Sequence, residues 1–392
     1  MNIEDILKQF QSSSVFEKLY FSKEEYPELL QQVKQEIGKL TDSGVIPEEI
    51  SFPDNSELGA IWECSLDVRD KTFIHCAFKD LDLSGWKMDF ATFDDCVFEN
   101  CVLPDKISGI TYLGCSFINI RFADDSNPAW VDCSLLNNKF SHSKLDRLYL
   151  EHNRFENCQF EEVSFKGLNS TKNSSFYGCE FSQVDFTEGT FCYISIVNPG
   201  IFENVDFSGS SLVHFSGTGM EFSAKAEIKV ENCDWSYANL EECVFENLTF
   251  GSSIFYHTIC SECTFRALNF NSLNMKYTWM SLCALEGVTF EKCDISCCDF
   301  SSSTISRLYV NSCSGNMINL QKSQVADSCF ASSDLKGSLL SYATMKNVVF
   351  DGCNLNLTRR HDVKEENFKL NGCSLTGSTG NDEELFRAEH FY

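Results

Sequence analysis

From Trp235 to Leu355 the chain sets a large apolar residue, or Cys, at every fifth position: Trp235, Leu240, Phe245, Phe250, Phe255, Cys260, Phe265, Phe270 and onward to Phe350 and Leu355. Twenty-five such positions follow in frame, and only Gly315 departs from the rule. Two residues before each lies a smaller set: Cys233, Ala238, Cys243, Leu248, Ser253, Thr258, Cys263 and so on to Cys353. A period of five fits neither a helix at 3.6 nor a flat strand at 2. It requires an architecture of its own.

A square coil answers the pattern. If each five-residue unit forms one side, the large centre residue and the small residue two before it point inward, and the other three face water. Four sides make a coil of about twenty residues, and stacked coils pair as parallel ladders at roughly 4.8 Å. Large residues then stack on large residues in a dry interior. The predicted fold is an all-β solenoid.

Runs such as Cys243-Val244-Phe245-Glu246-Asn247-Leu248-Thr249-Phe250, Ala343-Thr344-Met345-Lys346-Asn347-Val348-Val349-Phe350 and Cys76-Ala77-Phe78-Lys79-Asp80-Leu81-Asp82-Leu83 resemble the pentapeptide-repeat family. The resemblance covers roughly residues 64 to 375 and implies a right-handed quadrilateral β-helix. Many members fill the interior with Ala and Leu, whereas this chain uses Cys and Phe. The predicted domains are 1–60, a small helical N-terminal cap or partner-binding segment; 61–375, the β-helix; and 376–392, a short C-terminal capping helix.

Residues 1 to 60 lack the five-residue period. Leu29, Leu30, Val33, Ile37 and Leu40 form one helical stripe within Tyr26 to Leu40, and Asn2 to Phe10 and Val15 to Phe21 read as shorter helices. A solenoid end exposes unpaired edges, which invites such a cap. Repeats begin near Cys64 and settle by Phe73. The frame slips at Pro104–Gly114, Ala123–Asp132, Gly167–Ser174, just before Phe207, and at Ser223–Asn232. Each slip is expected to protrude as a loop or bulge, since extra residues cannot enter a filled interior. Trp130, within the second, is a candidate partner-binding anchor; the alternative is a Trp folded back on the coil wall. Near the end, Arg360 and Glu365 take centre positions where burial of charge would be costly. Arg359, Arg360 and His361 are therefore expected to bulge outward as a candidate docking site. Asn381 to Tyr392 reads as a helix with an Asn381…Glu384 capping box. Its Leu385 and Phe386 are candidates to cap the last coil or, as the resemblance implies for several members, to form a homodimer.

Net charge is −26 with pI near 4.6, which argues against direct nucleic-acid binding and for basic protein surfaces as partners. No run approaches the eighteen apolar residues of a membrane span, and the N-terminus lacks a conventional secretory signal. Twenty-one Cys might suggest disulfides, but most, including Cys243, Cys293 and Cys373, fall at the small inward position. They read as free, buried packing residues in a reducing compartment. Cys192, Cys297 and Cys329 fall outward and are the expected reactive thiols. Cys260 and Cys263 form a C-x-x-C only because a centre position precedes the next small one. No catalytic, metal or cofactor motif holds.

The chain therefore reads as a non-enzymatic interaction scaffold with a protein partner, in the bacterial cytosol, or in a host cytosol if it is exported. The resemblance extends to secreted effectors of Gram-negative pathogens. It also extends to members that protect DNA gyrase by resembling a B-DNA rod, so the alternative is an acidic DNA mimic that binds a type II topoisomerase.

Overall fold

The structure, a computed structural model, describes residues 14–17, 20–22, 67–199, 201–223 and 225–390. The chain divides into two compact units, the first ending at Gly189 and including Pro199–Ile201, the second comprising Thr190–Asn198 and Phe202 onward. Each is a parallel β-solenoid of mostly three-residue strands with the large residue buried at the centre. In the second unit, one eight-stranded sheet runs from Glu221–Ser223 to Lys364–Glu366 and one six-stranded sheet from Asn269–Asn271 to Lys369–Asn371.

The register counts the coils. In the second unit, Phe245 pairs Phe265, Phe265 pairs Leu285, and Met345 pairs Glu365, each twenty residues on. The first unit is less even. Phe73 pairs Phe93 at twenty, but Phe93 pairs Tyr112 at nineteen, Tyr112 pairs Leu135 at twenty-three, and Phe155 pairs Phe176 at twenty-one. The slip at Pro104 is thus a missing residue and not a protruding loop: Leu103 and Ile107, both buried, stand only four apart. The slip at Ala123 adds three residues, and 122–128 leave the strands. In the second unit, Gly217 pairs Leu240 at twenty-three, with the extra residues near a turn at Lys225–Glu227.

Stacked rings fill both interiors. Phe73 lies 4.9 Å from Phe93 and Phe78 4.7 Å from Phe98, nearly parallel along the stack, while Phe93 meets Phe98 edge-on at 5.3 Å across the coil. The second unit repeats this with Phe250, Phe270 and Phe290 at 5.0 and 5.1 Å. Parallel contacts follow the coil spacing, and edge contacts suit the ring quadrupoles. Where the frame lacks bulk, a neighbour supplies it. A Cβ on Gly315 would come within 2.7 Å of Leu335, and one on Gly217 within 3.0 Å of Phe215.

The small inward position does more than save space. Corner amides and carbonyls lie in a dry interior and must find partners. The Ser303 hydroxyl donates to the Met280 carbonyl at 2.8 Å and accepts from the Cys283 N–H at 3.0 Å. Asn138 bridges likewise, accepting from the Cys115 N–H at 2.7 Å and donating to the Tyr112 carbonyl at 3.0 Å. Thiols donate weakly in the same sense, Cys353 to the Phe330 carbonyl at 3.2 Å. This is why Cys, Ser, Thr and Asn recur there. At most corners, two residues past the centre, the chain takes positive φ, as at Asn247, His257 and Lys292.

The N-terminal segment departs from its predicted helices. β1 (Val15–Glu17) and β2 (Tyr20–Ser22) are strands in register with the first coil: Phe16 pairs Phe73 and Phe21 pairs Phe78. Phe16 and Phe21 stand five apart, so the frame begins inside the segment assigned as a helical cap. The stripe at Tyr26–Leu40 and the stretch Asn2–Phe10 lie outside the described residues.

Candidate functional site

Three candidate regions came from the sequence, and the structure relocates two. Trp130 does not project from an insertion. It is 0 % exposed, at the centre of the strand Ala129–Val131, paired with Ile107 and Leu150. Its ring packs on Tyr112, Phe122 and Phe155. No partner reaches it. The three extra residues of that coil lie before the strand, and there the surface forms a groove of about 370 Å³ whose lining includes Arg121, Lys144, Arg147, Asp124 and Asp146.

Arg359, Arg360 and His361 do not bulge either. Arg359 bridges Leu339 and Thr379 in the ladder, and the Arg360 N–H donates to the Thr379 carbonyl at 3.0 Å. Arg360, Glu365, Leu370 and Leu375 are the centre residues of the final coil. Among the described residues no further coil covers Glu365, Leu370 and Leu375, so the Glu365 charge meets water, while Arg360 lies under the Thr379 rung with its Nε buried and without a hydrogen-bond partner. Arg360 stays half-buried, Glu365 is exposed, and the two lie 4.0 Å apart. Cys373, in the same coil, is half-exposed for the same reason. Arg359 alone of the three faces solvent.

His361 is buried beneath α1 (Glu383–His390). Its Nε2 lies 3.1 Å from a Glu389 carboxylate oxygen, its Nδ1 accepts from the Asp382 N–H at 3.0 Å, and its ring meets Phe386 edge-on. The Tyr342 hydroxyl donates to Glu389 at 2.7 Å, which raises the phenol above its ordinary range. Phe386 therefore faces the solenoid, while Leu385 is exposed. The N-cap is Asp382, which accepts from the Glu384 and Leu385 amides, and not Asn381, which accepts from the Asp362 N–H.

The thiols divide by position. Burial pushes Cys101, Cys133, Cys233 and Cys283 up to about 12 and raises Cys260 well above its ordinary value. Cys192, Cys297 and Cys329 are half-exposed, but partial burial also raises Cys192 and Cys329. Among the described residues no group of three or more His, Cys, Asp or Glu could hold a metal ion. No described helix is long and apolar enough to cross a membrane.

The outward columns hold what the inward frame cannot. Corner residues of the first unit form a polar ladder: Asn100 donates to Asp80 at 2.7 Å, Asn119 to Asn100 at 2.8 Å, and His142 Nδ1 lies 2.8 Å from Glu162. One corner of the second unit instead stacks Tyr193, His214, Tyr237, His257 and Tyr277, with centroids 4.6 to 5.4 Å apart. The period of five does not reveal this column. Reading outward positions one coil apart, as at Tyr237, His257 and Tyr277, would have found it.

A square coil with two inward residues per side defines a quadrilateral β-solenoid. Its architecture is that of the pentapeptide-repeat proteins, which recur among similar solved structures. QnrB1, a plasmid-mediated fluoroquinolone resistance protein, is 16 % identical over 67 % of this chain and 98 % of its own, with a TM-score of 0.17. HetL, from the cyanobacterium Nostoc and involved in heterocyst differentiation regulation, is 14 % identical over 65 % and 88 %, with a TM-score of 0.15. An alginate lyase is 9 % identical over 85 % of both chains, with a TM-score of 0.21. At such scores the assignment rests on the chain's own five-residue register. No family model and no curated protein matches the sequence.

Proposed function

We propose that the chain is a non-enzymatic protein-interaction scaffold. One observation carries this reading: the inward residues are committed to packing, while chemical variety is arranged outside in columns one coil apart. Such columns present a flat, repeating array to a partner, as solenoids do. The finer form is a secreted bacterial effector acting on host or bacterial proteins, with Arg359 at the final coil and Leu385 on α1 as outward contacts, the latter also open to homodimer formation.

The test is binding by the purified full chain. A partner recovered from bacterial or host lysate should bind saturably as a purified protein, with cross-links on outward columns. Absence of any saturable partner, or cross-links confined to the chain ends, would sink the scaffold reading.

The charge of −26 favours a second reading, an acidic DNA mimic that binds a type II topoisomerase. Carboxylates repeat on the outer face, as at Asp294 and Asp334 two coils apart. Mimicry predicts competition with duplex DNA for the purified enzyme and a steep fall of affinity with salt. Binding indifferent to both would remove it.

A further inference from the structure

Backbone at positive φ favours Gly, Asn and Asp. The first unit follows this at its Asp80, Asn100 and Asn119 corners, with φ of 56°, 55° and 52°. The ring column of the second unit does not: Tyr193, His214, Tyr237, His257 and Tyr277 hold φ of 59°, 57°, 59°, 54° and 63°. Stacking among the rings offsets part of this conformational cost. It does not explain why so much apolar surface stays in water. Tyr193 and Tyr237 are each 47 % exposed, and Trp279, on the adjoining side two residues past Tyr277, is 54 % exposed. Ile254, exposed, and Tyr256 precede His257, and Tyr256 meets the rings of Tyr237, His257 and Tyr277 edge-on.

The polar chemistry of this strip is one-sided. The hydroxyls of Tyr193, Tyr237 and Tyr277 and the nitrogens of His214 and His257 have no hydrogen-bond partner among the described residues. Carboxylates border both sides: Asp234 and Asp294 on one, Glu242, Glu262 and Asp299 on the other. The stack ends at Tyr277, because the next corner residue is Cys297. There the Lys276 ammonium lies 5.2 Å from the Tyr277 ring centroid, so a cation is already held. Exposed Trp and Tyr ringed by acceptors and carboxylates suit apolar groups interleaved with cations.

We infer that this corner strip docks a partner segment in which Arg or Lys alternates with apolar side chains. The apolar groups cover Trp279, Ile254 and the ring edges. The cations donate to the Tyr hydroxyls and pair with the bordering carboxylates. This inference rests on the scaffold reading and names one surface for it.

The experiment uses the full chain and fluorescein-labelled peptides in an anisotropy titration. One peptide alternates Arg and Leu, and a second of equal charge and length alternates Arg and Gly. Wild type should bind the first at least about tenfold tighter than the second, an increment of roughly 1.4 kcal/mol. The variant Tyr237→Asn/Tyr277→Asn/Trp279→Asn should lose that preference, with melting unchanged because Asn suits the positive φ held at Tyr237 and Tyr277 and the Trp279 side chain is exposed. The variant Glu161→Gln/Glu162→Gln in the first unit should keep it. If the triple variant melts early, Trp279→Asn alone should lower the preference by at least threefold. Equal binding of both peptides by wild type, or full preference in Trp279→Asn, overturns the proposal. Sedimentation showing that the ring substitutions abolish a homodimer would overturn the assigned occupant, since a second copy would then cover the strip. Failure here, with a saturable partner still bound through other columns, would leave the scaffold reading standing.

Discussion

The two units are filled alike and finished differently. In the first, Phe78, Phe98 and Phe117 stack in coils of uneven length, and corners are closed by hydrogen-bonded Asp, Asn and His. In the second, from Phe245 onward, coils repeat at twenty without interruption, while one corner carries stacked Tyr and His and an exposed Trp279. A coil tolerates one residue fewer or three more when the change falls at a corner, because the ladder on each side recovers its register. Inward chemistry is therefore nearly invariant, and outward chemistry is free to differ. The interior specifies the fold, and the columns are where a function can reside.

The largest test of equivalent interiors is alkaline. Cys101 and Cys133 in the first unit and Cys233 and Cys283 in the second ionise only near 12, because burial disfavours the thiolate. The unfolded thiol ionises near 9, so between 9 and 12 the unfolded chain binds fewer protons and stability falls as pH rises. Each thiol contributes about 1.4 kcal/mol per pH unit in that window, so the four together cost roughly 5–6 kcal/mol at pH 10. Urea melts under reducing conditions at pH 8 and pH 10 should show the loss in both units. A loss confined to one would break the equivalence.

Next in size are ring truncations. Phe270→Ala and Phe155→Ala each remove a ring held in a stack, and each should cost about 3–5 kcal/mol. A loss below about 1 kcal/mol in either would contradict the frame in that unit. Asn138→Ala orphans the Cys115 amide and the Tyr112 carbonyl, and should cost about 2 kcal/mol. Arg359→Ser/Arg360→Ser/His361→Ser should cost about 1 kcal/mol and raise hydrogen exchange across α1, since of the three His361 is the one bonded to Glu389 and Asp382. Unchanged exchange in α1 would show that the helix is held by other contacts.

Much of the fold was legible because two inward residues in five leave a signal that repeats at Phe245, Phe250 and Phe255. The ends were not. The strands at Val15–Glu17 and Tyr20–Ser22 carry only one centre residue each, Phe16 and Phe21, too few repeats to stand out against a helical reading. Spacing between Leu103 and Tyr112 does not tell a deletion from an insertion, since both shift the frame. Arg360 and Glu365 were read as a bulge because their burial was assumed, and a terminal coil removes that premise for Glu365. Trp130 followed from the same premise in reverse: inserted residues were expected to carry it outward, yet they precede its strand. The hydrogen-bonding part of Cys, Ser and Asn at the small position went unseen because size alone accounted for them. The candidate surface on the second unit was hidden by the short period, which averages over four different sides.

Native-state alkylation tests the central claim most directly, since the cysteines are reporters spread through both units. With a small iodoacetamide reagent and peptide-resolved mass spectrometry, Cys297 should label first, then Cys192, Cys329 and the half-exposed Cys373. Cys101, Cys133, Cys243 and Cys293 should stay protected until the chain unfolds. Labelling of Cys243 or Cys293 as fast as Cys297 would contradict the inward frame on which the account stands.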